Sequence, residues 1–398
     1  MSKLLVNTGR LSLIAFTVMV VGACNKLYEP VPSTPYSEGD VANTLAKKIA
    51  ANSSYSIFNT ALVRTGLNTT LDVANANFTV FAPDNTAMTA SGLSLAVVNA
   101  LPVATLTSVL NYHIIPAERI AAAQIPEPFP NVEKKSKLDI ATTAFVPSIP
   151  RTSIPIKMSI FPSRRGSAAW ANNVPVTAAD AITGSNGVVH SVATAVAPPT
   201  RVLLDTIARD PDFSYLVAAI VRADSGLSTT ASPSFQYALA QPFANLTVFA
   251  PTNAAFQSLI FGLVYQLTFA ATNDATIATA QANAAVAAGP AFLSTNNVTT
   301  ELVRGIVAYH VLGTRAFSVN FGAAAANYPT LLNGGIPTHP GLSISSTVVT
   351  GLGVGVSVKG VGNATAATAA GASPSVPLVD RIAVNGNFFK INQVLLPQ

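Results

Sequence analysis

The stretch NFTVFAPDNTAM, residues 77–88, recurs as NLTVFAPTNAAF, residues 245–256. The aromatic and β-branched residues of each copy predict a strand, and the Ala-Pro that follows ends it, because proline cannot donate to a sheet. Asp84 and Thr252 then stand where a side chain accepts hydrogen bonds from the free N–H groups of a following helix. Each copy therefore predicts a strand, a capped turn and a helix.

Two further landmarks follow each copy in the same order: Tyr-His at 112–113 and 309–310, and Asn-Gly at 186–187 and 385–386. The helices that open the two halves also agree, since Tyr55, Phe58 and Leu62 align with Phe213, Leu216 and Ile220. A repeat of this length predicts two globular domains, because solenoid repeats are only about 20–50 residues long. From the first to the second landmark the distance is 32 residues, from Phe81 to His113, but 61 residues from Phe249 to His310. The second half therefore carries an insertion, which we assign to the Ala-, Thr- and Asn-rich stretch at about 269–297 and expect to be an exposed loop.

These landmarks resemble the sequence blocks of the fasciclin family, also called FAS1 domains. Residues 247–256 fit the family's first block, TVFAPTNxAF, and the first copy departs from it only at Asp84 and Met88. The last block of the family resembles residues 186–198 and 385–397, although Ala193 and Asn392 replace its acidic residue and Phe389 replaces its histidine. The resemblance implies an α+β fold with two tandem fasciclin-like domains, each a β-sandwich wedge with packed helices. It also implies extracellular adhesion without catalysis.

The residues before the first domain predict export. Lys3 and Arg10 precede a short apolar run that ends in Val21-Gly-Ala-Cys24, and Cys24 is the only cysteine. A basic start, a short apolar core and small residues at the cut site indicate a signal peptide. The last four residues resemble a bacterial lipobox, in which the cysteine is lipidated and becomes the mature N-terminus. We therefore expect a lipid-anchored protein of the bacterial cell envelope, at the outer membrane or cell surface; an ordinary signal peptide is the alternative.

This plan divides the chain into four parts: a signal peptide at 1–23, a flexible Pro- and Ser-rich tether at 24–40, and fasciclin-like domains at 41–199 and 200–398. The formal net charge is +5, and it falls to +3 once Lys3 and Arg10 leave with the signal peptide. So small a charge does not indicate a nucleic-acid partner. We expect instead a membrane contact through the N-terminal lipid and an extracellular protein or polysaccharide as partner.

The Tyr-His pairs are the candidate binding residues, because in animal members of the family this region has been tied to receptor binding. They comprise Tyr112, His113, Tyr309 and His310. Both histidines, however, share a helix face with apolar residues, which favours a buried structural role. His190 alternates with Val188 and Val192 in a predicted strand, so it too is expected in the core. The sequence predicts no catalytic residue, no metal site and no cofactor.

Three classes of function compete. The first is adhesion to other macromolecules, and the second is a glycan-binding accessory lipoprotein of a polysaccharide uptake system. The second class would use aromatic platforms, for which Trp170 is the lone tryptophan, although a single tryptophan more often belongs to the core. The third class, an enzyme, finds no support in any short catalytic motif. Arg164 and Arg165 are interpreted as a solvated loop, and residues 348–361 as a pair of strands in the second domain.

Overall fold

A computed structural model describes residues 40–140, 156–295, 298–370 and 379–398. The signal peptide, Cys24 and nearly all of the tether therefore lie outside the described residues. In the first half the helices are α1 Leu45–Ala51, α2 Ser56–Thr65, α3 Leu67–Leu71, α4 Asn85–Ala90, α5 Leu95–Ala100 and α6 Val103–Tyr112. Its strands are β1 Phe78–Pro83, β2 Ile114–Pro116, β3 Lys134–Ile140, β4 Ile156–Ile160, β5 Pro162–Arg165, β6 Ala168–Ala171, β7 Val174–Gly184 and β8 Gly187–Val192.

The second half repeats the order of these elements. Its helices are α7 Leu203–Arg209, α8 Ser214–Ala223, α9 Phe235–Ala240, α10 Asn253–Thr272, α11 Ala275–Ala287 and α12 Thr300–Tyr309. Its strands are β9 Leu246–Pro251, β10 Val311–Leu312, β11 Ala326–Tyr328, β12 Leu342–Val349, β13 Leu352–Lys359, β14 Ala367–Ala370, β15 Arg381–Ala383 and β16 Gly386–Ile391. The fold is α+β, as the sequence predicts.

The recurring stretch forms the centre of a sheet in both halves. One sheet runs in the order β2-β1-β8-β7, continued by β6 and β5, and the other runs β10-β9-β16-β15. In each, the repeated strand lies antiparallel to the short strand after the Tyr-His pair and parallel to the strand after Asn-Gly. A second sheet, β11-β12-β13-β14, completes the second half, and β3 pairs with β4 in the first.

The Asn-Gly pair does more than turn the chain. The buried Asn186 side chain accepts a hydrogen bond from Leu45 N at 2.8 Å, and Asn385 accepts one from Leu203 N at 2.7 Å. Asn186 thereby binds the first turn of α1 to the sheet of the first half, and Asn385 binds the first turn of α7 to the sheet of the second half. The following glycine is required by space, because a Cβ on Gly187 would lie 2.1 Å from Phe78 O.

The inserted stretch is helical, so the expectation of an exposed loop is wrong. α10 extends over 20 residues where its counterpart α4 has six, and α11 runs back along it. Asn273, in the left-handed conformation, separates the two helices, and the Asp274 side chain accepts hydrogen bonds from Thr276 N and Ile277 N at the start of α11. We call α10 and α11 together the helical hairpin.

Each half has its own buried clusters, and one further cluster joins the halves. Phe161 and Trp170 of the first half pack there with Phe317 and Val319 of the second. Val384 of the second half also belongs to a cluster made otherwise of residues up to Val202. The two halves are therefore packed against each other through apolar side chains.

Candidate functional site

The Tyr-His pairs lie inside the protein in both halves. α6 and α12 end at the tyrosine, and the histidine caps the helix. Tyr112 and Tyr309 are fully buried, and the histidines are 1% and 2% exposed. The candidate binding residues therefore present almost no surface to a partner in this structure.

Each histidine ring links its own helix to a distant backbone segment. His113 Nδ1 lies 2.8 Å from Val109 O, and its Nε2 accepts a hydrogen bond from Val196 N at 2.8 Å. His310 repeats the arrangement, with Ile306 O at 2.7 Å and Leu395 N at 2.9 Å. A carbonyl only accepts and an amide N–H only donates, so the proton resides on Nδ1 and the ring is neutral. Burial favours the same state, because it lowers the pKa of both histidines to about 4.

Each tyrosine hydroxyl is likewise satisfied internally. Tyr309 donates to Gly341 O at 2.7 Å and accepts from Val361 N at 3.1 Å, which fixes α12 to the second sheet. Tyr112 donates to Ser159 O and accepts from Asn172, both at 3.1 Å. These contacts account for the donor and acceptor capacity of the two hydroxyl groups.

His190 belongs to the core. It is fully buried, accepts a hydrogen bond from Asp180 N at 3.0 Å and lies 2.8 Å from Ile120 O through Nε2. Its ring packs 5.3 Å from that of Phe81. In the second half Phe389 stacks on Phe249 at the same distance, so the phenylalanine that departs from the family pattern fills an equivalent position.

Trp170 and Arg165 contact the other half instead of solvent or a ligand. Trp170 is 3% exposed, and its indole Nε1 donates to Gly351 O at 2.7 Å. Arg165 lies on β5, where its guanidinium donates to Asn320 O at 2.7 Å and to Phe321 O at 3.0 Å. The interpretation of residues 164–165 as a solvated loop is therefore wrong, because they form a strand that faces the second half.

Asn320 lies at the centre of this contact, a role that no motif in the sequence indicates. It is 1% exposed, and its side-chain oxygen accepts from Asn131 at 2.6 Å and from Phe317 N at 2.7 Å. Its amide group donates to Ser163 at 3.1 Å. One asparagine thus holds two segments of the first half against one loop of the second.

A buried charge lies beside this asparagine. Arg315 is 1% exposed, lies 5.0 Å from the centroid of the Phe161 ring and donates to Val384 O at 2.8 Å. Burial lowers the pKa of its guanidinium to about 10, so the group stays charged at neutral pH. Asp380, also buried, accepts from Ser318 N and Oγ at 2.8 and 2.6 Å, and burial raises its pKa to about 6.

The described surface offers little that resembles a catalytic site. Within residues 40–140, 156–295, 298–370 and 379–398, no three His, Cys, Asp or Glu side chains lie close enough together to hold a metal ion. A depression lined by Ala275, Thr276, Thr279, Ala280 and Asn283 is open to solvent. His339, the histidine outside the repeated blocks, lies 2.8 Å from Pro397 O through Nε2 and packs against Tyr309.

A comparison with known protein families finds a match in the first half of the chain. The model of the fasciclin domain family matches residues 53–198, which span the repeated strand, the Tyr-His pair and the Asn-Gly pair. These residues are therefore similar to a fasciclin domain. The second half of the chain repeats the central strand order and the buried histidine contacts of this matched region.

A solved structure also resembles the chain. It is a FAS1 domain pair from the insect cell adhesion molecule fasciclin I, 14% identical, matched over 88% of this chain and 95% of that one with a TM-score of 0.30. No curated protein sequence matches the chain significantly.

Proposed function

We propose that the chain is a lipid-anchored protein of the bacterial cell envelope that binds extracellular protein or polysaccharide through its two fasciclin-like domains. The fasciclin domain at residues 53–198 is the observation that carries this proposal, because such domains are associated with adhesion or binding. The lipobox-like residues that end in Cys24 support the anchor and an outer-membrane or cell-surface location.

The buried Tyr-His pairs direct the proposal to the outer surface. A partner could reach His310 only if the hydrogen bonds to Ile306 and Leu395 were broken, and the Leu395 N–H would then be an unpaired buried group, which costs about 1–3 kcal/mol. We therefore assign the Tyr-His pairs to the framework and the binding to exposed side chains. Only 10% of the residues are charged, so long-range repulsion of either partner class is weak.

The glycan-binding alternative loses its main support in the structure. A sugar-stacking platform needs an exposed aromatic face, whereas Trp170 is 3% exposed and contacts the second half. Trp170 therefore gives no reason to favour a polysaccharide over a protein as the partner, and the binding assay must include both.

A binding assay on the whole mature chain tests the function. The two halves should not be assayed separately, because their separation would expose Phe161, Trp170 and Phe317 and create artificial adhesion. We expect the chain with Cys24→Ser to sediment with cells or isolated envelope polymers, in competition with unlabelled chain. We expect no turnover of esters, peptides, phosphates or glycosides. Saturable hydrolysis that one polar substitution abolishes would contradict the proposal, and so would the absence of competable binding.

A second assay tests the anchor separately. Expression of the full chain should give a membrane-bound product whose mass includes acyl chains on Cys24. Cys24→Ser should lack that mass and leave the membrane fraction, since each buried methylene contributes about 0.8 kcal/mol to membrane binding. Equal lipid mass and equal membrane retention in both proteins would refute the anchor without affecting the binding proposal.

A further inference from the structure

The helical hairpin carries almost no charge. Between Asn253 and Thr300 the sequence has a single charged residue, Asp274, at the turn between α10 and α11. By length and composition α10 is also apolar enough to cross a membrane, yet only 17% of that segment is buried. A stretch so apolar and so exposed differs from the usual helix of a water-facing surface, which has a polar outer face.

The first half of α10 belongs to the protein core and therefore does not cross a membrane. Ala255, Phe256 and Ile260 are buried in the main cluster of the second half. The Tyr215 ring stacks on Phe256, and its hydroxyl donates to Val286 O near the end of α11. The base of the hairpin is thus fixed to the domain.

The second half of α10 carries the same apolar face beyond the core. Leu263 and Leu267 follow Phe256 and Ile260 at helical spacing, but they are 53% and 72% exposed. Phe269 on α10 and Ile277 on α11 add 38% and 45% exposed side chains near the turn. From Leu263 to the turn α10 rises about 14 Å, which exceeds the depth of about 5–10 Å that interfacial helices reach in a bilayer.

The free end of the hairpin is also firmly built. Phe261, Tyr265 and Phe269 stack along α10 with ring centroids 6.1 and 5.9 Å apart. On α11 the buried residues Ala278 and Ala282 recur at a helical spacing of four, and small side chains let two helices approach closely. The exposed leucines are therefore held out by an ordered pair of helices.

We propose that the outer end of the helical hairpin inserts into the interfacial region of a lipid bilayer, as a second membrane contact besides the acylated N-terminus. The exposed face has no basic residue, so the lipid it fits is electrically neutral and the contact is hydrophobic. A second copy of the chain fits less well. A stable dimer buries about 800 Å² per partner, and four half-exposed side chains of at most roughly 200 Å² each offer about half of that.

The test uses the mature chain with Cys24→Ser, so that no acyl chain contributes and the outcome does not depend on the anchor. We expect this protein to float with phosphatidylcholine vesicles, equally at low and high salt because no charge attraction is involved. Leu263→Asn combined with Leu267→Asn should weaken vesicle partitioning at least tenfold. Leu302→Asn is the matched control, because Leu302 on α12 and Leu263 on α10 are both 53% exposed. Replacement of Leu302 should leave vesicle partitioning unchanged.

A fluorescence measurement locates the contact. Leu267→Trp places an indole on the exposed face, and Trp170, 3% exposed, is the only other tryptophan. Vesicles should shift the Leu267→Trp emission to the blue and leave the emission of the parent protein unchanged. Three results would overturn the proposal: no flotation of the parent, flotation that Leu263→Asn and Leu267→Asn do not reduce, or a dimer that these changes dissociate in the absence of vesicle binding.

Discussion

Replacement of His310 by alanine tests whether the Tyr-His pair is framework. The ring is 2% exposed and lies between Ile306 O at 2.7 Å and Leu395 N at 2.9 Å. Alanine removes both contacts and leaves the Leu395 N–H buried without a partner, whereas Ile306 O still accepts a hydrogen bond from the backbone N–H of residue 310. An unpaired buried amide costs about 1–3 kcal/mol, so the unfolding free energy should fall by roughly 1–3 kcal/mol before any cavity is counted. That is a large part of the ~5–15 kcal/mol that stabilises a typical domain.

The same substitution should change the response to acid. Burial lowers the pKa of His310 to about 4 from its usual 6.5, so the unfolded chain binds a proton more readily than the folded one. The stability tied to the neutral ring is complete above pH 6.5 and is lost as the pH falls towards 4. At about 1.4 kcal/mol per pH unit, the parent loses roughly 3 kcal/mol that His310→Ala cannot lose. The difference in stability between the two proteins should therefore narrow by that amount on acidification.

Urea unfolding at a series of pH values, followed by circular dichroism and by Trp170 fluorescence, measures both effects. Leu302→Ala is the control on the same helix, and its exposed position predicts a change within about 0.5 kcal/mol. Burial raises the pKa of Asp380 to about 6, so this residue increases the stability of the folded state as the pH falls, which is opposite to the effect of His310. The contribution of Asp380 is the same in all three proteins and cancels when they are compared. The reasoning fails if His310→Ala is as stable as the parent, or if the difference between them does not change with pH. Full stability with loss of partner binding would establish the pair as a binding site instead.

Two further substitutions test the packing of the halves and of the sheet. Trp170→Phe keeps an aromatic ring in the contact but removes the hydrogen bond to Gly351 O. We therefore expect the free energy of unfolding, measured with heat or urea, to fall by about 1–3 kcal/mol. An unchanged free energy of unfolding would show that the indole N–H contributes nothing to stability. Gly187→Ala would place a methyl group 2.1 Å from Phe78 O, so it should prevent soluble expression or lower the melting temperature sharply. Gly305 lies on a helix with open space around it, so Gly305→Ala should leave the stability unchanged or raise it by up to about 1 kcal/mol. Equal effects of the two glycine replacements would contradict the steric argument.

Local patterns in the sequence predict the centre of each domain well. The strands at 78–83 and 246–251 and the caps at Asp84 and Thr252 follow from short-range preferences that the structure satisfies, with Ala87 N and Ala255 N as the donors. The repeat predicts that the same elements recur in the two halves, and the central strand orders β2-β1-β8-β7 and β10-β9-β16-β15 agree with it. Residues 348–361 likewise lie largely in the predicted strand pair, β12 and β13.

The features that the sequence does not reveal depend on contacts between distant segments. Asn320 and Arg165 belong to no recognisable motif, and their roles exist only because the two halves pack together. The Ala, Thr and Asn residues of the inserted stretch suggest a polar segment and therefore predict a loop. The apolar residues between Phe261 and Phe269, which precede that stretch, instead continue a helix that begins in the core and runs into it. The average composition of residues 269–297 does not indicate that this helix continues into them.

The contact centred on Asn320 and Trp170 has a geometric consequence. Two domains on a loose linker would sample many separations, and each could find its own attachment point. Here a buried asparagine, a buried indole and a buried guanidinium lie across the junction, so we expect the two halves to move together. The distance and the angle between the outer faces of the two halves would then be fixed. A polymer whose repeat length matches the distance between the two outer faces could bind both of them at once. A polymer with a different repeat length could bind only one.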